Sequence, residues 1–287
     1  MPPADAAGPP PQHAARTVRG RPPDSSALLF PRPVPVPSLR LFLLHHAGGS
    51  HMLYHGWERY FPADWEVCPV DAPGRGRLAG LAPLDDSGAL ADFLVEQIRP
   101  WTDRPFALFG HSMGGLLAYE VTRRLAADGG PAPLWLGVSA CGAPGTCGGR
   151  PPRHRLTDGE LRDWLRAAGA TPAVVLDDDS LWRTFGPLFR HDFAVVDTWR
   201  ARTDEPPLGV PVSVYGGRAD ALVGRGRLTA WATRTEHYLG LNLHDGDHFY
   251  LTARPREVAR QTLAAVAAAR RLVPSPARPV PPIRMNT

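Results

Sequence analysis

Three side chains that together could activate an oxygen nucleophile are spread along this 287-residue chain in a workable order. Ser112 lies in Gly110-His111-Ser112-Met113-Gly114. An apolar run enters this segment and a helical pattern leaves it, so the small residues at 110 and 114 read as a steric requirement of a sharp strand-to-helix turn that exposes the hydroxyl. A serine hydroxyl is a weak nucleophile and needs a base, and the base needs an acid to orient it. In such turns the three follow the chain order Ser, Asp, His. Asp220 follows Ser112 by 108 residues, after the Gly-Gly turn of PVSVYGGRAD, and His248 follows 28 residues later in LNLHDGDHFYL. His244 is the reserve base. Asp245 and Asp247 are alternative acids, but they sit so near His248 that facing its far ring nitrogen is harder. Asp220 also suits a cap before Ala221–Val223, and capping does not exclude catalysis.

Attack on a carbonyl develops negative charge that needs two preorganised donors. One is expected from the backbone N–H of Met113. The other is expected from the loop His45-His46-Ala47-Gly48-Gly49-Ser50, with Ala47 as the chosen donor. The adjacent histidines do not suggest a metal, because neighbouring strand residues point to opposite faces and no carboxylate set accompanies them. No cofactor is expected either: the glycines of 71–80 and 222–227 lack the G-x-G-x-x-G spacing.

These groups need a scaffold. Short apolar runs at Leu41–Leu44, Val67–Val70, Phe106–Phe109, Leu134–Val138, Val212–Tyr215 and Leu239–Leu243 read as strands. Helical patterns lie between most of them, at about 52–60, 88–99, 113–128, 222–236 and 255–272. The alternation predicts an α/β fold with a mostly parallel central sheet and helices on both faces. It breaks once, from Cys141 to about Pro207, where helical segments at 157–168 and 179–200 occur without a convincing strand. The expected organisation is a core of 40–140 and 207–273, with a helical lid inserted at 141–206. Following a strand at the carboxyl edge of the sheet, such an insert would roof a ligand site there.

Sixteen of the 33 prolines fall within 1–39 and 274–287, so both segments are expected to be disordered. All 32 basic residues are Arg; residues 1–39 carry four Arg against two Asp and 270–287 four Arg against no acid, which leaves the body net negative by two despite a formal +4 overall. A folded basic face for nucleic acid is not indicated. Without an apolar run of membrane length or a signal core, the expectation is a cytoplasmic protein with no membrane partner, monomeric by default. Cys68, Cys141 and Cys147 have neither the pairing nor the spacing of a disulfide framework or zinc site.

Taken together, HHAGGS (45–50), APGRGR (72–77), GHSMGG (110–115) and the pair GGRAD (216–220) with GDHFYL (246–251) make the chain resemble the type II thioesterases of nonribosomal peptide and polyketide synthesis, a branch of the α/β-hydrolases. The inserted stretches AGATPAVVL (168–176) and PLFRHDFAVVDTWR (187–200) are similar to that family's lid segments. The resemblance implies a triad of Ser112, Asp220 and His248, an oxyanion hole of Ala47 and Met113, and editing hydrolysis of acyl groups from the phosphopantetheine arm of carrier proteins. Asp71 and Trp199 depart from the family pattern. Other readings of the same residues are a product-releasing thioesterase, a general serine esterase, or a non-catalytic synthase-docking protein. Carrier proteins are usually acidic, so Arg75, Arg77, Arg153 and Arg155 are candidate capture residues.

Overall fold

The computed structural model describes residues 26–146, 151–169, 171–202 and 204–272; Cys147, residues 1–25 and the predicted tail 274–287 lie outside them. Six strands form one sheet: β1 (Leu39–Leu44), β2 (Trp65–Val70), β3 (Phe106–His111), β4 (Trp135–Ser139), β5 (Val212–Gly217) and β6 (Tyr238–His244). Their order is β2-β1-β3-β4-β5-β6, and every neighbouring pair is parallel. The helices are α1 (Ser87–Ile98), α2 (Met113–Ala127), α3 (Asp158–Ala168), α4 (Ala173–Asp177), α5 (Asp179–Thr198), α6 (Arg225–Thr229), α7 (Tyr250–Ala253) and α8 (Pro255–Leu272).

Period-two alternation divides the strand side chains between two cores. Phe42, Leu44, Leu108, Val138 and Val214 face α1 and α2, which supply Leu90, Leu94 and Ile98, and Leu117, Val121 and Leu125. Leu41, Leu43, Ala107, Phe109 and Tyr215 face the other way, onto Val258, Ala259, Val266 and Ala269 of α8. Strands buried on both faces explain why the sequence shows short continuous apolar runs rather than alternation. From β1 the chain moves outward to β2, then returns to lay β3 on the far side of β1, with Leu44 opposite Gly110. The carboxyl ends of β1 and β3 therefore meet at the reversal of strand order, where α/β sheets bind ligands.

Three expectations need correction. The segment 1–39 is not wholly outside the fold. Ala27 and Leu28 are fully buried, Leu28 bridges Val70 antiparallel, Leu29 N–H donates to the Pro69 carbonyl at 2.9 Å, and Asp71 N–H donates to the Ala27 carbonyl at 2.9 Å. Ser26-Ala-Leu-Leu-Phe30 is apolar and free of proline, so it can dock although proline-rich sequence surrounds it. The predicted helix over 52–60 is instead two 3-10 turns, His51–Tyr54 and Trp57–Tyr60, separated by Gly56 at φ +73. A left-handed residue cannot continue a right-handed helix, and this break lets Tyr54 and Trp57 enter the same core. The predicted helix over 222–236 shortens to α6 and a 3-10 turn at Ala230–Thr233.

Between β4 and β5 the described residues contain α3, α4 and α5. Thr157 and Glu160 cap α3 reciprocally and Gly169, at φ +77, ends it. Leu161, Leu165, Leu176, Trp182, Phe189 and Phe193 give these helices an apolar cluster of their own. No described helix is long and apolar enough to cross a membrane.

Candidate active site

The turn between β3 and α2 holds Ser112 at φ 55, ψ −115, one of two non-glycine residues with positive φ among the described residues. A side chain here costs on the order of 1–3 kcal/mol of backbone strain. The flanking glycines are compulsory. A Cβ on Gly110 would stand 1.9 Å from the Gly114 carbonyl oxygen, and one on Gly114 would stand 2.1 Å from that of Leu44. Ser112 N–H donates to the Ser139 carbonyl at 2.8 Å, tying the turn to the end of β4.

The structure brings Asp220 and His248 to this serine. His248 Nε2 lies 3.0 Å from Ser112 Oγ, and His248 Nδ1 lies 2.9 Å from Asp220 Oδ2. The other Asp220 oxygen accepts from the N–H groups of Leu222 and Val223 at 2.8 and 2.9 Å, so a single carboxylate closes its own turn and meets the imidazole. The loop after β6 packs directly on the turn after β5: Ala219 N–H donates to the Gly246 carbonyl at 2.9 Å, and a Cβ on Gly217 would stand 2.0 Å from the Asp247 carbonyl. That contact carries residues 220 and 248 together. Behind them, Tyr250 is buried and its hydroxyl lies 2.6 Å from Ser139 Oγ.

The reserve residues sit elsewhere. His244 is buried against Tyr250, with ring centroids 4.9 Å apart, and its Nδ1 lies 3.4 Å from Glu257. Asp245 pairs with Arg218 at 3.2 Å, and Asp247 Oδ1 accepts from Phe249 N–H at 2.8 Å. Arg75 is not an outward-facing cation: it is buried against Asp192. Arg77 is half-buried, with Nη1 3.5 Å from the Leu28 carbonyl. Arg153 pairs with Asp197 at 2.6 Å and covers the Trp164 and Phe193 rings. Arg155 is exposed at the cavity wall.

Ser112 and His248 open into a cavity of about 550 Å³. Its floor includes Ala47, Met113 and Leu116, and α3 and α5 contribute Trp164, Leu165, Phe193 and Val196. Met113 is the first residue of α2, so its N–H has no acceptor within the helix. Among the described residues, the N–H of Ala47 likewise has no acceptor. Asp71, unexpected from sequence, is fully buried and accepts from His51 N–H at 2.7 Å and His51 Nδ1 at 2.8 Å, fixing the start of the 3-10 turn that follows the 45–50 loop. Trp199 donates its Nε1–H to Glu120 at 2.8 Å, pinning the end of α5 to α2. Sequence reasoning missed Asp192. Its signal was a carboxylate placed among Leu188, Phe189, Phe193 and Val195 on the buried face of α5.

Three imidazoles near the site are held neutral. Burial lowers His45 well below the usual histidine value, as the Arg75 cation does to a smaller degree. Burial brings His46 down to about 4, and pushes His111 well down with help from His248. The unfolded chain, with histidines near 6.5, therefore binds more protons than the fold below that pH. Their contribution to stability is complete above about pH 6.5 and is lost as pH falls, for His46 through a window reaching about 4. Each neutral imidazole should add a slope of up to about 1.4 kcal/mol per pH unit. Thermal melts across pH 7 to 4 should show a fall in Tm that is shallower in His111→Gln; a flat profile down to pH 5 would remove the neutral assignment.

Comparison with known proteins gives a consistent result. The thioesterase domain family model matches residues 39–266. The gramicidin S biosynthesis protein GrsT of Aneurinibacillus migulanus is 33% identical over 213 residues, spanning 74% of this chain and 83% of that protein. The solved type II thioesterase BorB from the borrelidin biosynthetic cluster matches with TM-score 0.76 and 32% identity, covering 83% of this chain and 97% of that one. YbtT, the type II thioesterase of the yersiniabactin pathway, matches with TM-score 0.78 and 29% identity, covering 85% of this chain and 99% of that one.

Proposed function

The chain belongs to the thioesterase domain family, in its type II branch of nonribosomal peptide and polyketide pathways and with the α/β-hydrolase fold, and on that premise we propose that it removes acyl groups from the phosphopantetheine arms of carrier proteins as an editing enzyme. The observation that carries the reading is the Ser112–His248–Asp220 chain, with contacts of 3.0 and 2.9 Å, opening into a cavity between the sheet and α3/α5.

In this reading His248 Nε2 takes the Ser112 proton as Oγ attacks the thioester carbonyl, while Asp220 fixes the ring tautomer with the proton on Nδ1. The N–H groups of Ala47 and Met113 receive the oxyanion, each worth roughly 10²–10³ in kcat. The carbon–sulfur bond breaks, the acyl group stays on Ser112, and the departing thiolate takes the proton from His248, which leaves Nε2 free again. A thiolate is a good leaving group, so oxyanion stabilisation and the later activation of water carry more of the barrier than leaving-group protonation. Water then gives up a proton to His248 as it attacks the acyl-enzyme, and His248 returns that proton to Ser112 Oγ as the bond to the acyl group breaks and the acid leaves. α3, α4 and α5 act as the lid over the core built on β1–β6. Arg155, Arg200 and Arg227 line the cavity and offer guanidinium groups to an acidic carrier protein. The enzyme acts in the cytoplasm beside its synthase.

Turnover on acyl-carrier protein, acyl-coenzyme A and an aryl ester tests this, run across acyl lengths. The expected order of kcat/KM is carrier protein, then coenzyme A, then aryl ester, with salt weakening only the first strongly. A strong preference for the aryl ester would instead identify a general esterase.

A further inference from the structure

Asp192 is fully buried in the apolar face of α5. A carboxylate there must be met by donors and an opposite charge. Arg75 supplies both, donating to the two oxygens at 2.5 and 2.7 Å. The third partner is more informative: Gly48 N–H donates to Asp192 Oδ2 at 2.6 Å. Arg75 also donates to the Gly49 carbonyl at 3.2 Å. One turn before Asp192, the Phe189 ring fills the place of a side chain at 48, where a Cβ would lie 2.0 Å from it. Gly48 itself is at φ +75.

The inner side of the same loop is held by its own imidazoles. The His46 carbonyl accepts from His45 Nδ1 at 2.8 Å and from Gly49 N–H at 3.0 Å. His45 carries its proton on Nδ1 because Nε2 accepts from Ala72 N–H at 3.3 Å. The Ala47 carbonyl accepts from His46 Nδ1 at 2.9 Å. Thus the peptide joining Ala47 to Gly48 is gripped at both ends, its carbonyl by His46 and its N–H by Asp192. The peptide joining His46 to Ala47 has its carbonyl bonded twice, its N–H has no acceptor among the described residues, and Ala47 lines the cavity. A carbonyl so polarised makes its N–H a better donor.

We propose that Asp192 is a positioning residue for the oxyanion hole: from the inserted helix α5 it fixes, through Gly48 and with Arg75 cancelling its charge, the direction in which the Ala47 N–H points. The inference rests on the proposed role of the Ala47 N–H. It makes α5 part of the device that stabilises the transition state, rather than a cover only. A bare carboxylate here would oppose a developing oxyanion, and the Arg75 fork removes that penalty while keeping the hydrogen bond.

The test is Asp192→Asn in the full chain, with kcat and KM on an acyl-pantetheine thioester and the affinity of an alkylboronic acid, which adds to Ser112 as a tetrahedral anion. Asparagine cannot accept all three donors, so kcat should fall about 10- to 100-fold, with KM within twofold, and boronate affinity should weaken in proportion. The pH midpoint of kcat/KM should not move, since the Ser112–His248–Asp220 contacts are untouched. A kcat within twofold of wild type, or a loss confined to KM with unchanged boronate affinity, would overturn the proposal and leave Asp192 a packing residue. Should Asp192→Asn fail to fold, Arg75→Lys carries the same test, because it keeps the charge and loses the fork. Proportional losses in kcat and boronate affinity support the proposal, and unchanged values overturn it. A wild type that binds boronate but hydrolyses no thioester would refute the thioester reading instead, and the boronate ratio would still decide the role of Asp192.

Discussion

Ser112→Ala is expected to lower thioester hydrolysis by roughly 10⁴- to 10⁶-fold, the range in which loss of an activated serine leaves only binding and the oxyanion donors at work. The structure makes this a clean experiment. The Ser112 hydroxyl meets His248, whereas the strained turn is held by the Ser112 N–H to the Ser139 carbonyl and by the close approach of Gly110 and Gly114. None of those contacts needs the hydroxyl. Alanine keeps the Cβ already tolerated at φ 55, so the fold and substrate KM should stay close to wild type. Single-turnover assays with intact-mass detection should also find no acylated protein. Survival of a tenth of the wild-type rate would show that Ser112 is not the nucleophile.

Asp220→Asn should cost about 10⁴-fold in kcat, through the tautomer rather than the fold. In the native turn one oxygen accepts from Leu222 and Val223 N–H, and the other faces His248 Nδ1. The asparagine carbonyl can keep the first pair of bonds. Its amide nitrogen then faces Nδ1 with a proton, which forces the ring proton onto Nε2, the atom that must receive the Ser112 proton. Tm should therefore change little while activity collapses. A variant within tenfold of wild type would mean that Asp220 serves the turn alone and that another group orients the ring.

Much of this arrangement was legible in the chain because the steric demands are local. Only small residues fit at 110 and 114, and strands buried on both faces leave apolar runs that read clearly between helical patterns. Ser112, Asp220 and His248 were legible because each lies just past the carboxyl end of a strand, on the one edge of the sheet where loops can bring them together. The parts that were not legible depend on partners remote in sequence. Asp192 looks like one polar residue in an amphipathic helix until Arg75, 117 positions away, and Gly48, 144 positions away, are seen against it. Asp71 looked out of place until His51 supplied two donors. The single helix expected at 52–60 failed at Gly56, because burying both Tyr54 and Trp57 outweighs continuing the helix.

The docked stretch at 27–29 has a consequence for how the molecule meets copies of itself. β2 lies at one margin of the sheet, where unpaired backbone N–H and C=O groups form a template onto which a foreign strand can zip. By bonding to residues 69 and 71 and bridging residue 70, the chain occupies part of that template itself. Prolines 31, 33, 35 and 37 follow immediately and offer no amide hydrogens with which to extend a ladder. The proline-rich approach to the fold thus acts as a selvedge that keeps the sheet from fraying into aggregates.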